Sequence, residues 1–202
     1  MNPDVWLFGQ INDLAVATPW LQPVMIAYAR DGLLVFAALM VAGWWVARRS
    51  GNRRAMAAAV WTPVGMLLAL GLNQPLGALV GRERPYAVIG DILVLADRTS
   101  DPSFPSDHAV VAGAVTAGLL LVSRRLGLIA AAAALLMAFA RVYIAAHYPL
   151  DVLVGVGFGA CITLGGWLLA RPVLMAGLDR VERTRLAPVF VAQPGSSTAS
   201  GD

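Results

Sequence analysis

Arg141, His147 and Asp151 fall in one short stretch between two long apolar runs, and His147 is one of only two histidines in 202 residues. Ionisable groups beside membrane-spanning segments are expensive to place and are functional candidates by default. A histidine with a carboxylate one helical turn further on has the parts of an oriented nucleophile or base. The other histidine, His108, closes the run Pro105-Ser106-Asp107-His108, immediately before an apolar segment. Ser106 is a favoured N-cap residue there, and a helix start with free backbone N–H groups suits an anion. A second histidine can act as general acid. Arg84 and Arg141 add guanidinium forks that match phosphate oxygens. These residue types together predict phosphoryl transfer at a membrane surface.

The elements that must position them are membrane helices. The chain is 58% hydrophobic and only 13% charged, where a soluble domain carries roughly a quarter charged residues. We expect an all-α, polytopic membrane helix bundle of about five transmembrane helices, preceded by an N-terminal interfacial helix. Residues 1–22 form the interfacial segment, 23–170 the transmembrane domain, and 171–202 a cytoplasmic basic segment with a disordered tail from 187. The spans are expected at residues 24–47, 55–72, 106–123, 126–146 and 150–170, each near the ~20 residues needed to cross. Asn73-Gln74-Pro75 should interrupt the second, and Leu76–Val80 could extend it. Pro149 suits the first turn of the fifth. Gly155, Gly157, Gly159, Gly165 and Gly166 read as close helix packing. The single Cys161 excludes a disulfide within the chain and reads as a small buried packing residue. A cleavable signal peptide is not expected, since a basic leading region is missing and Asp4 comes early.

Orientation follows from the arginines, which account for all fifteen basic residues. Ten of them lie in clusters at 48–54, 124–125 and 171–185, all on one side of a five-span arrangement. The richer side is cytoplasmic, so the N-terminus is outside and the C-terminus inside. Arg84, Ser106, Asp107, His108, His147 and Asp151 then share the outer face, with Arg141 at the adjoining end of its span. Short clusters between apolar runs are also not the pattern of a nucleic-acid-binding face.

Arg84-Pro85, Pro105-Ser106-Asp107-His108, and Arg141 with His147 and Asp151 resemble, in order, the three motifs of the type 2 phosphatidic acid phosphatase (PAP2) superfamily. The likeness covers roughly residues 20–170. Two positions depart from the common pattern: Gly77 stands where a lysine usually opens the first motif, and Asp107 replaces the glycine of Pro-Ser-Gly-His. Both departures look like the bacitracin-resistance type of undecaprenyl-diphosphate phosphatase, a bacterial branch. The resemblance implies a plasma-membrane enzyme that releases the terminal phosphate of a lipid diphosphate on the extracytoplasmic face. It also implies the roles. Arg84, Arg141, Ser106 and amides near Asp107 hold the phosphate, His147 attacks phosphorus, Asp151 orients the ring, and His108 serves as acid and then base. No metal or cofactor is needed, because arginines and amides neutralise the developing charge.

Plainer readings stand beside these. His147 could be a structural histidine, His108 a cap neighbour, Asp151 a helix-dipole partner, and Arg84 or Arg141 a headgroup anchor. Asp107 could serve the helix start, raise a histidine's basicity, or tune the site for a diphosphate. Arg82 could replace the missing lysine or sit at the surface, Arg30/Asp31 reads as a structural ion pair, and residues 86–104 could form a lid. Two other functions are open: a phosphatidate or phosphatidylglycerophosphate phosphatase or phosphotransferase, and a transporter or scaffold. A transporter would place ionisable groups near the bilayer midplane, whereas here they gather at one end.

Overall fold

A computed structural model describes residues 2–181, 183–184 and 187–190. Among them the chain forms α1 (Pro3–Ala17), α2 (Gln22–Asp31), α3 (Leu33–Ser50), α4 (Arg53–Val80), α5 (Pro85–Val88), α6 (Asp107–Val122), α7 (Arg124–Tyr143), α8 (Pro149–Val181) and α9 (Ala187–Phe190). The fold is an all-helical membrane bundle. Among the described residues, four stretches are long and apolar enough to cross a bilayer: Leu33–Ser50, Arg53–Val88 (which contains α4), Arg124–Tyr143 and Pro149–Val181. The expected third span, α6, has 16 residues, or about 24 Å of helix, less than the hydrocarbon core of roughly 30 Å. It runs through the middle, packed on α3, α4, α7 and α8. Its neighbours rather than lipid surround it, and Val110, Val115 and Leu119 are fully enclosed. Leucines that face outward on the enclosing helices, such as Leu135, Leu168 and Leu169 (73%, 75% and 80% exposed), present the apolar surface a bilayer requires.

Glycines set how close α6 and α8 come. A Cβ at Gly113 would run into the Val156 carbonyl, one at Gly159 into the Val110 carbonyl, and one at Gly155 against Ala109 and Ser106. Gly166 accommodates the Trp61 ring in the same way. Gly157 and Gly165 face open space instead, because a helix turns them to its outer side. Cys161 is likewise exposed rather than buried, since the 3.6-residue period carries it away from α6.

Three boundaries differ from expectation. The Asn73-Gln74-Pro75 run does not interrupt α4, which continues to a C-cap at Gly81 with φ +59°. Pro75 costs one backbone hydrogen bond, and tertiary packing of this helix against α6 and α8 holds it together. The first span is jointed at Gly32, between α2 and α3, where a Cβ would meet Tyr28 and Met137. The last helix continues past residue 170 through Pro172 to Val181. Its end is fixed by an ion pair between Arg53 and Asp179 and by Leu178 in the core cluster beneath Trp61 and Trp167. Of the expected tail, Ala187–Phe190 is a short helix whose Phe190 packs on that cluster, and residues 191–202 lie outside the described residues.

Helix α1 carries exposed Trp6, Leu7 and Leu14 and buries Phe8, Asn12 and Ala15. Its partners lie at the end of the bundle that carries the turn between α7 and α8. Phe8 meets the ring of Tyr148, Asn12 bonds both the N–H and the carbonyl of Leu93, and Thr18 bonds Tyr143. The helix therefore lies across that end.

Candidate active site

The chain turns between α7 and α8 at Ile144–Tyr148, where Ala145 takes φ +64°. This left-handed residue, rare without glycine, lets Ala146 N–H reach back to the Arg141 carbonyl at 3.1 Å. The turn leaves His147 only 2% exposed. Its Nδ1 lies 2.6 Å from the Ser103 carbonyl oxygen, and Nε2 lies 3.2 Å from Arg141 Nη2 and 3.4 Å from Arg84 Nη1. A carbonyl can only accept and a guanidinium can only donate. Both sides of the ring thus assign one tautomer, with the proton on Nδ1 and a lone pair on Nε2. Burial, then the charges of Arg141 and Arg84, hold His147 well below its ordinary pKa, so the ring is neutral near pH 7.

The two arginines are fixed from behind. Arg84 donates to the Ala146 carbonyl at 3.0 Å and the Asp101 carbonyl at 3.1 Å, and pairs with the Asp101 carboxylate at 2.6 Å. Burial alone would raise Asp101, but hydrogen bonds from Thr99 and Arg84 outweigh it and keep the carboxyl ionised below its usual range. Arg141 donates to the Ala29 carbonyl at 3.3 Å, and its Nε is buried with no partner. Arg84, Arg141, His108, His147 and Asp107 line one cavity of about 610 Å³, with Arg30 also on its wall.

Ser106 occupies the N-cap position of α6 but makes no capping bond; its hydroxyl is buried without a partner. Two donors are therefore unsatisfied: Arg141 Nε, on a residue of the cavity wall, and Ser106 Oγ, on a fully buried residue that does not itself line the cavity although its neighbours Pro105 and Asp107 do. An unsatisfied buried donor is a cost that an anion within reach would relieve. Asp107, at the start of α6, accepts from Asn73 at 2.7 Å and from Gln74 at 3.1 and 3.2 Å. Arg30 pairs with Asp31 at 3.0 Å, both well exposed.

One expected contact is replaced, and one open alternative, a phosphate contact from Arg82, is not taken. Asp151 makes no hydrogen bond to His147; it accepts from Ser103 Oγ at 2.5 Å, Tyr148 N–H at 2.9 Å and Arg82 at 2.6 Å. The Ser103 carbonyl occupies the ring nitrogen that the carboxylate was expected to hold. Arg82 is absent from the cavity lining, because its two arms are taken by Asp4 and Asp151. Sequence reasoning missed Ser103, Asp101, Asn73 and Gln74. The polar Asn73-Gln74 pair inside an apolar run was a usable signal for the latter two.

A family model for the PAP2 superfamily matches residues 58–173, more than half of the chain. The chain belongs to the PAP2 superfamily. It is 28% identical over 164 residues to the bacitracin transport permease protein BcrC of Bacillus licheniformis, covering 81% of this chain and 78% of the relative. It is 26% identical to the undecaprenyl-diphosphatase BcrC of Bacillus subtilis, covering 73% and 74%. The fold is also that of the crystal structure of Aquifex aeolicus LpxE (TM-score 0.59, 22% identity, 81% of this chain and 94% of that one). A PAP2-type phosphatidylglycerolphosphate phosphatase from Bacillus subtilis matches similarly (TM-score 0.57, 21% identity, 92% and 90%). This PAP2 protein is thus a multi-pass membrane phosphatase by family. Its three motifs meet in one cavity at one end of the bundle.

Proposed function

We propose that this PAP2 phosphatase hydrolyses undecaprenyl diphosphate to undecaprenyl phosphate and inorganic phosphate through a phosphohistidine on His147. The observation that carries the reading is the placement of His147 Nε2 3.2 Å from Arg141 Nη2 and 3.4 Å from Arg84 Nη1, two groups that can only donate to it. The terminal phosphoryl group takes its donors from Arg84, the unpartnered Nε of Arg141, the Ser106 hydroxyl and the amides at the start of α6. The Nε2 lone pair forms a bond to phosphorus as the bond to the lipid phosphate oxygen breaks, and His108 protonates that oxygen. The Ser103 carbonyl, accepting from Nδ1–H, stabilises the positive charge that grows on the ring. His108 then takes a proton from water, whose oxygen displaces His147 from phosphorus. Both steps spread charge onto fixed donors, where preorganisation contributes most.

Similarity to the Bacillus subtilis undecaprenyl-diphosphatase over most of both chains supports a lipid diphosphate substrate. The arginine distribution supports a plasma-membrane protein with its cavity on the extracytoplasmic face and its C-terminus in the cytoplasm. The name of the Bacillus licheniformis relative favours a second reading, transport, against which stands the gathering of the ionisable groups at one end. Phosphate release by the purified protein should be compared for undecaprenyl diphosphate and phosphatidate, each with and without a chelator. Faster, chelator-insensitive turnover of the diphosphate is expected. Preference for phosphatidate would sink the substrate assignment, and turnover of neither would favour transport.

A further inference from the structure

A continuous series of short polar contacts runs from α1 to His147. Asp4, in the first turn of α1, accepts the Leu150 N–H at 2.8 Å and one arm of Arg82 at 2.6 Å. The other arm of Arg82 reaches Asp151 at 2.6 Å, and its guanidinium carbon lies 3.8 Å from the centre of the Tyr148 ring. Asp151, fully buried, takes the Ser103 hydroxyl at 2.5 Å. Ser103 gives its N–H to the Arg82 carbonyl at 2.7 Å and receives Nδ1–H of His147 at 2.6 Å. Every step joins a different segment: α1, the loop after α4, the first turn of α8, the loop before α6, and the turn that bears His147.

We propose that Asp4, Arg82 and Ser103 are positioning residues for His147, which makes the N-terminal helix part of the catalytic apparatus. The inference rests on His147 being the nucleophile. The physical reason is the burial of Asp151. A carboxylate with no access to water needs a cation and full hydrogen bonding, or it takes up a proton or draws in solvent. Arg82 is the cation paired with it, and Asp4 holds the second arm so that the fork cannot swing away. With Arg82 seated, Asp151 fixes the Ser103 hydroxyl, and the carbonyl of the same residue fixes the ring and its tautomer. None of the three residues lines the cavity. Their loss should therefore alter the chemical step and spare substrate affinity.

The test uses full-length protein in detergent, with phosphate release from farnesyl diphosphate and the imidazole resonances of His147 as readouts. Arg82→Gln should lower kcat about a hundredfold, as for an ångström-scale misplacement of a reacting group, and Asp4→Asn about tenfold. KM should stay within about twofold in both, the signature of a transition-state effect. Arg82→Lys should regain part of the loss, because an ammonium can serve one carboxylate but not both. Asp4→Asn/Arg82→Gln should be no slower than Arg82→Gln alone, since both act in one series. The Nδ1–H signal of His147 should shift or broaden in Arg82→Gln. If that variant does not fold, Ser103→Ala carries the test, since it keeps the carbonyl and removes only the hydroxyl that Asp151 holds. Wild-type kcat in folded Arg82→Gln or Ser103→Ala would overturn the proposal. So would a raised KM at unchanged kcat, or a lowered Tm with wild-type kcat. His147→Ala, run in parallel, separates the two readings. An inactive His147→Ala beside fully active Arg82→Gln and Ser103→Ala sinks only the positioning role, whereas an active His147→Ala sinks the nucleophile.

Discussion

The imidazole of His147 is held by the backbone of Ser103, with 2.6 Å between Nδ1 and the carbonyl oxygen. A carbonyl cannot be titrated away or rotate out as a free side chain can. It therefore fixes the proton on Nδ1 and the lone pair on Nε2 over a wide pH range.

That relationship can be read spectroscopically, because the chain has only two histidines. In ¹⁵N-histidine-labelled protein near pH 7, His147 should show a protonated Nδ1 and a bare Nε2. Burial and the two guanidiniums disfavour the imidazolium, so acidification should leave His147 neutral to well below its ordinary value of 6.5. Arg141→Gln removes one cation and should move the midpoint upward, though only part of the way, since burial is the larger cause. The acid limb of kcat/KM should move in the same direction. A midpoint at or above 6.5 in the wild-type protein would contradict this account of the site.

Close packing of α6 on α8 sets the relative height of the His108 and Asp151 ends. Gly159→Ala and Gly113→Ala each force a methyl group against a backbone carbonyl and should lower stability by about 1–3 kcal/mol or more. Gly157→Ala meets nothing within 4 Å, and the helix propensity of alanine should make it neutral or stabilising by up to about 1 kcal/mol. Thermal unfolding in detergent compares the three. Equal effects at positions 157 and 159 would contradict the described packing.

Orientation is open to a labelling experiment, since Cys161 is the only cysteine. In a Cys161→Ser background, Asp97→Cys should react with a membrane-impermeant maleimide on intact cells, and Arg180→Cys only after permeabilisation. The reverse pattern would place the cavity on the cytoplasmic side.

How much of this was legible in the sequence depended on the kind of signal. Apolar runs placed the start of each span within a few residues, and α6 agrees with the expected 106–123 almost residue for residue. The end of α8 was misplaced because Arg171 and Pro172 look like a boundary; Leu178 and the Arg53–Asp179 pair carry the helix on instead. Motif spacing brought Arg84, Asp107, His108, Arg141 and His147 to one cavity. Spacing along one helix cannot tell which neighbour a carboxylate will choose. Asp151 was therefore given to His147, four residues back, when Ser103, 48 residues away in sequence, takes the bond. The role of Arg82 was left open for the same reason: its partner Asp4 is 78 residues away.

The central claim is a covalent bond from phosphorus to Nε2 of His147. Rapid acid-free quenching of the enzyme with ³²P-labelled polyprenyl diphosphate, followed by peptide mapping, tests it most directly. The account predicts label on His147 that is stable to base and lost in acid, absent from His147→Ala, with turnover of that variant below about a hundredth of wild type. Label on another residue, or turnover by His147→Ala above that level, would contradict it.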